Sequence, residues 1–95
     1  MLDQPKYQLI LFIAGASPNS VRAINNLKHI CDKYLADKYT LEVVDVYQLP
    51  DMARTEQIIA LPTLIKKHPD PVRRLIGDMS DTAKVLRGLG INTTV

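Results

Sequence analysis

The chain has one cysteine, one phenylalanine and no tryptophan among its 95 residues. A lone Cys31 cannot close an intramolecular disulfide, which excludes a disulfide-stapled secreted domain and fits a reducing compartment. So few large aromatics, together with a formal net charge of only +2, provide neither a stacking platform nor a basic field for dedicated nucleic-acid binding. The longest apolar run, Leu9-Ile10-Leu11-Phe12-Ile13-Ala14, is far short of the roughly 18 residues a membrane span needs. Met1-Leu2-Asp3-Gln4-Pro5-Lys6 lacks the charged-then-apolar plan of a signal peptide, so the chain reads as cytoplasmic and complete, with no membrane contact. Hydrophobic residues at 46% and charged residues at 23% are ordinary globular values and argue against disorder or a coiled-coil rod. Residues 1–95 make one domain, with an ordered core from about 7 to 90, that buries about 60–65% of its unfolded surface.

Tyr7-Gln8-Leu9-Ile10-Leu11-Phe12-Ile13 is nearly continuous in apolar β-formers, the pattern of a central strand covered on both faces. After Gly15, Ser17 and Pro18 signal a helix start: Ser17 caps free backbone N–H groups and Pro18 takes the first position, where its missing donor costs nothing. Val21, Ile24, Leu27, Ile30, Cys31 and Tyr34 then recur at helical spacing and predict a buried stripe on a helix over 18–36. A second strand is expected over 39–46, parallel to the first through a right-handed crossover. A short helix over 50–59 follows, then a strand over 61–67 with Pro62 at its start. His68-Pro69-Asp70-Pro71 is a turn into a hairpin strand over 72–76. The last helix runs from a Ser80 cap to about Leu89, with Ala83, Val85, Leu86 and Leu89 inward and Asp81 in its first turn. The order is β-α-β-α-β-β-α.

This order, with Ala60-Leu61-Pro62-Thr63-Leu64 opening the hairpin, resembles the thioredoxin fold, which implies a cis peptide bond before Pro62 rather than before Pro5, Pro18, Pro50, Pro69 or Pro71. A thioredoxin carries two cysteines at the first helix start, where the helix dipole lowers a thiol pKa. Here that place reads Gly15-Ala16-Ser17-Pro18-Asn19-Ser20, so dithiol exchange lacks both its thiols. Cys31, three turns into the helix on its apolar side, reads as a small buried hydrophobe. His29 and Cys31, two apart on a helix, point away from each other and hold no metal. Asp78-x-Ser80-Asp81 is a capping pattern rather than a calcium loop. Ser17 and Ser20 have no histidine placed to activate them. No catalytic residue, cofactor or metal is expected. Arg73 and Arg74, adjacent on a strand, face opposite sides, so at least one looks outward beside Lys66 or Lys67, as a solvated rim or as a contact for an acidic protein surface.

Several segments in order resemble the KaiB family: Leu11-Phe12-Ile13-Ala14-Gly15 with Ser17-Pro18-Asn19-Ser20-Val21-Arg22-Ala23, Leu41-Glu42-Val43-Val44-Asp45-Val46, Ile59-Ala60-Leu61-Pro62-Thr63-Leu64, Pro71-Val72-Arg73-Arg74-Leu75-Ile76-Gly77-Asp78 and Lys84-Val85-Leu86. The resemblance implies a fold-switching, non-enzymatic regulator. One fold is the thioredoxin-like order above; the other is a ground-state order β-α-β-β-α-α-β that assembles as a tetramer, so a homo-oligomer, dimer or tetramer, is compatible with it. Local signals favour the thioredoxin-like order. The resemblance also implies docking on the ATPase ring of a KaiC-like partner, in competition with the thioredoxin-like sensor domain of a histidine kinase, and places Arg22, Tyr39, Lys66, Arg73 and Arg74 on the contact surfaces. Glu42 and Gln57 replace lysines of cyanobacterial clock members, Gly90 replaces an often acidic residue, and the chain ends at Val95 without an acidic tail. These departures set a divergent or non-cyanobacterial member, linked to stress response, above a daily oscillator and weigh against KaiA recruitment. The alternative readings are a thioredoxin-like oxidoreductase working through Cys31 and a sensor-type domain binding a histidine kinase.

Overall fold

Alternating burial along the first strand organises the molecule. The computed structural model describes residues 6–91 and runs β1 (Tyr7–Ile13), α1 (Pro18–Tyr34), β2 (Tyr39–Asp45), α2 (Pro50–Thr55), β3 (Thr63–His68), β4 (Arg73–Ile76) and α3 (Thr82–Leu89). The four strands form one sheet in the order β2-β1-β3-β4. β1 pairs parallel to β2 and antiparallel to β3, and β3 pairs antiparallel to β4. This is the expected β-α-β-α-β-β-α order, a mixed α/β domain.

Leu9, Leu11, Ile13 and Leu64 face one side of the sheet, where they pack with Ala23, Leu27, Ile30 and Cys31 of α1 and with Val85, Leu86 and Leu89 of α3. Ile10 and Phe12 face the other side, where Phe12, Val44 and Ile65 form a smaller cluster flanked by Met52, Ala53 and Ile58. β1 is therefore apolar on both faces because helices cover both. Phe12 is fully buried, and truncating such a side chain to alanine costs about 3–5 kcal/mol. Gly88 lets α3 approach β4: a Cβ there would stand 2.6 Å from Leu75 Cδ1.

The helix starts show which local signals survive packing. Ser17 caps α1 as expected, its hydroxyl accepting from the Ser20 N–H at 3.3 Å with Pro18 at the first position. Ser80 does not cap α3. Asp81 does, its Oδ1 accepting from the Lys84 N–H at 3.1 Å, while the Ser80 N–H donates to Asp78 Oδ1 in the preceding turn. Both are capping residue types; the turn at Asp78 consumes one and leaves the other. α1 is rolled relative to the expected stripe, with Ser20 and Ala23 buried and Val21 and Tyr34 exposed, because small residues let the helix lie close to the sheet. Ala83 of α3 is likewise exposed.

Helix α2 ends at Thr55 rather than near residue 59, because Gln57 turns into the left-handed region at φ 56° and Ile58 folds back onto the smaller cluster. β3 begins at Thr63, just past Pro62. The Leu61–Pro62 bond is cis as the fold resemblance implies, and His68–Pro69 and Asp70–Pro71 are cis as well, against expectation; both lie in the tight β3–β4 turn, the usual setting of cis prolines.

Candidate functional site

The end of the sheet where β1 stops is the place where a thioredoxin would do its chemistry. The registers Ile13–Asp45, Phe12–Thr63 and Thr63–Ile76 bring the ends of β1, β2 and β4 and the start of β3 to this one edge. Gly15, at φ 56°, turns the chain from β1 into α1, a conformation in which a Cβ would be strained. Its N–H donates to Asp45 Oδ1 at 3.1 Å, and the same oxygen accepts from the Tyr47 N–H at 3.0 Å. One carboxylate thus ties the two loops together.

The start of α1 holds no cysteine; Ser17 and Ser20 stand there, three residues apart. The Ser17 hydroxyl donates to Ser20 Oγ at 2.7 Å, and Ser20 Oγ accepts from the Ala14 N–H at 3.0 Å. Both hydroxyls are used in holding the turn. Cys31 lies elsewhere, fully buried among the α1 core residues, and its thiol is pushed up to about 12 by burial and secondarily by the Asp32 charge. A thiol held protonated is not a nucleophile. Among the described residues no group of three or more His, Cys, Asp or Glu side chains gathers to hold a metal, and no helix is long and apolar enough to cross a membrane.

The five expected contact residues do not form one patch. Arg22, exposed on α1, pairs with Asp78 Oδ2 at 3.3 Å and also meets Asn19 Oδ1. Hydrogen bonds from Ser80, and then the Arg22 guanidinium, hold the Asp78 carboxyl below the usual range. Tyr39, at the far end of β2, donates its hydroxyl to Asp32 Oδ1 at 2.7 Å, and that hydrogen bond, followed by burial, pushes it up to about 12. Lys66 and Arg73 stand opposite each other across β3 and β4, on the α1 and α3 side of the sheet. Arg74 faces the other way, onto the Glu56 and Gln57 carbonyls, next to the Lys67–Glu56 ion pair of 2.7 Å.

The sequence reading missed the exposed apolar residues of the loops. Tyr47 is 75% exposed, Ile59 93% and Leu49 48%; Ile59 was expected inside a helix. The readable signal is a tyrosine and a leucine in Tyr47-Gln48-Leu49, a turn segment where Gly, Asn, Asp or Ser is the rule.

Residues 10–91 match the family model of the KaiB domain. The chain belongs to the KaiB family. It is 47% identical over 91 residues to the circadian clock oscillator protein KaiB of Prochlorococcus marinus subsp. pastoris, covering 96% of this chain and 85% of that protein. It is equally identical over 90 residues to the circadian clock protein KaiB3 of a Synechocystis strain, covering 95% of this chain and 88% of the relative. Among solved structures it is similar to the N-terminal domain of Synechococcus elongatus SasA, with a TM-score of 0.76 at 20% identity over 100% of this chain and 93% of that one. It is also similar to chloroplastic thioredoxin z, with a TM-score of 0.74 at 19% identity over 90% and 76% of the two chains. These likenesses show that the fold is thioredoxin-like.

Proposed function

We propose that this KaiB family member is a stoichiometric clock or stress-response regulator, without catalytic activity of its own, that docks on the ring of a KaiC-like ATPase and alters its phosphorylation state or signalling output. The observation that carries this reading is the family match across residues 10–91 with relatives that are clock proteins. Two features of the site support it. The start of α1, where a thioredoxin needs two cysteines, has none, and Tyr47, Leu49 and Ile59 leave about half or more of their surface exposed. The oxidoreductase alternative loses its only thiol to the core, since Cys31 is buried and held protonated.

Mixing the full chain with its cognate KaiC-like ATPase and ATP, then weighing the complexes by native mass spectrometry after a day's incubation, tests the reading. A ring carrying copies of the chain is expected. No complex, or co-purification with a histidine kinase alone, overturns it. Fold switching belongs to the same proposal: α2 is six residues long with none fully buried, and only partly buried Met52, Ala53 and Ile58 tie residues 50–61 to the smaller cluster, so few apolar contacts hold this arrangement. Amide NMR with and without the ring is expected to report helix over 50–55 in the bound state; strand there in the bound state refutes this part.

A further inference from the structure

Lys66 and Arg73 are in an arrangement that packing does not explain. They are direct cross-strand partners, and Lys66 is only 4% exposed. Like charges directly opposite each other weaken a ladder. Burial, then the Arg73 charge, lowers the Lys66 ammonium below the usual lysine range, with the Asp70 carboxylate acting in the opposite sense. Among the described residues neither cation has an ion-pair partner within bonding distance, whereas the neighbouring Arg22, Lys67 and Arg74 each do. The fold therefore tolerates excess positive charge at this one position of the hairpin.

Among the described residues the same position lies on an open sheet edge. β4 ends the order β2-β1-β3-β4. The Gly77 N–H bond to the Pro62 carbonyl, at 3.0 Å, sets the phase of the β3–β4 ladder. Hydrogen-bonded and non-bonded pairs alternate in such a ladder, so Leu75 and Arg73 direct their backbone groups to β3 while those of Arg74 and Ile76 point outward. Ile76 is 53% exposed and Val72 54%. On the α3 side the edge borders a cavity of about 190 Å³ walled by Leu75, Met79, Lys84 and Val85, with Asp78 and Asp81 also in its lining.

We propose that the β4 edge is a docking site for an extended acidic segment of a partner protein, which adds to the sheet as an outer strand, sets a carboxylate against Arg73 and lays aliphatic side chains along Leu75 and Ile76. Strand addition satisfies the outward N–H and C=O groups of Arg74 and Ile76. The carboxylate accepts two N–H bonds from one guanidinium and offsets its repulsion with Lys66. A second copy of β4 fits less well, because it brings further arginines to an edge that is already positive. The proposal goes beyond ring binding and is tested without any ATPase, so either reading can fail alone.

The probe is a short capped, fluorescein-labelled peptide, Glu-Glu-Ile-Val-Glu-Glu, whose charge pattern is the same in both directions, titrated with the full chain and followed by anisotropy. Saturable binding is expected, weakened at least tenfold by Arg73→Glu and by Ile76→Pro, which deletes an outward N–H while leaving the bonds to β3. Circular dichroism checks that both variants fold; should Ile76→Pro not fold, a probe N-methylated at alternate residues takes its place and is expected to bind at least tenfold more weakly. The version with lysine for glutamate is expected not to bind. Absence of saturable binding, unchanged binding to Arg73→Glu, or equal binding of the N-methylated probe overturns the proposal. So does sedimentation showing a dimer of the free chain that Ile76→Pro dissociates.

Discussion

Replacing Asp45 tests whether one carboxylate holds the two loops at the end of the sheet. Asp45 Oδ1 accepts N–H bonds from Gly15 at 3.1 Å and Tyr47 at 3.0 Å. Hydrogen bonds to a charged group contribute about 1.5–3 kcal/mol each. The two are not equal here. Gly15 is part-buried and loses its acceptor outright, whereas exposed Tyr47 can turn its N–H to water, so the lower figure applies to the second bond. Asp45→Ala is therefore expected to cost about 3–4.5 kcal/mol, which for a domain of this size lowers Tm by roughly 12–36 °C. Asp45→Asn keeps a neutral acceptor and should lose about half as much. Urea denaturation of the three proteins, read at constant slope, measures both values. A cost below about 1 kcal/mol for the alanine variant refutes the reasoning, and equal costs for alanine and asparagine would show that the lost charge, not the lost acceptor, matters. Native mass spectrometry of Asp45→Asn with the ring then reports whether the Tyr47 loop must be held for docking.

Asp81→Ala should destabilise by about 1 kcal/mol and Ser80→Ala by less than half of that, since only Asp81 caps α3; thermal melts compare them, and the reverse ranking refutes the assignment. The Cys31 thiol and the Tyr39 hydroxyl both have raised folded pKa values, about 12 against ordinary values of 9.0 and 10.0. The unfolded chain releases these protons first, so their stabilisation is complete below about pH 9 and is lost as pH rises towards 12. Denaturation from pH 8 upward should show that decline, Cys31→Ala should flatten its first part, and a pH-independent curve contradicts it. Native Cys31 should resist iodoacetamide at pH 8 and react in denaturant; rapid native alkylation refutes its burial. Glu56→Gln removes the charge that Lys67 and Arg74 share and should cost about 1 kcal/mol, with amide exchange accelerated first over residues 50–58; uniform acceleration would show that this ion pair does not anchor α2.

Ser17 and Pro18 mark the start of α1 because capping is a local bargain between one side chain and its own next turn. Two capping types within two residues defeat the same logic at α3, where Asp78 engages both the hydroxyl and the N–H of Ser80 and leaves the capping to Asp81. The α1 stripe was misread by a fraction of a turn, because hydrophobicity ranks Val21 above Ser20 while the sheet needs a small side chain there and Ala14 needs an acceptor. Arg22, Tyr39, Lys66, Arg73 and Arg74 were legible as residue types, but their separation onto different faces and ends followed from strand register. The exposed Tyr47, Leu49 and Ile59 went unnoticed because burial is a property of neighbours distant in the chain.

By itself the sequence determined the element order, the missing thiols at the first helix, the resemblance to the KaiB family and a first strand covered on both faces. Those features follow from spacing and residue type, which act over a few neighbours. Tertiary structure alone decided that, among the described residues, Lys66 and Arg73 oppose each other without a paired anion and β4 leaves an open edge, that Asp45 ties two loops and that α2 stops at Thr55. Each depends on which strand lies beside which, and that is settled by packing across the sheet rather than along the chain.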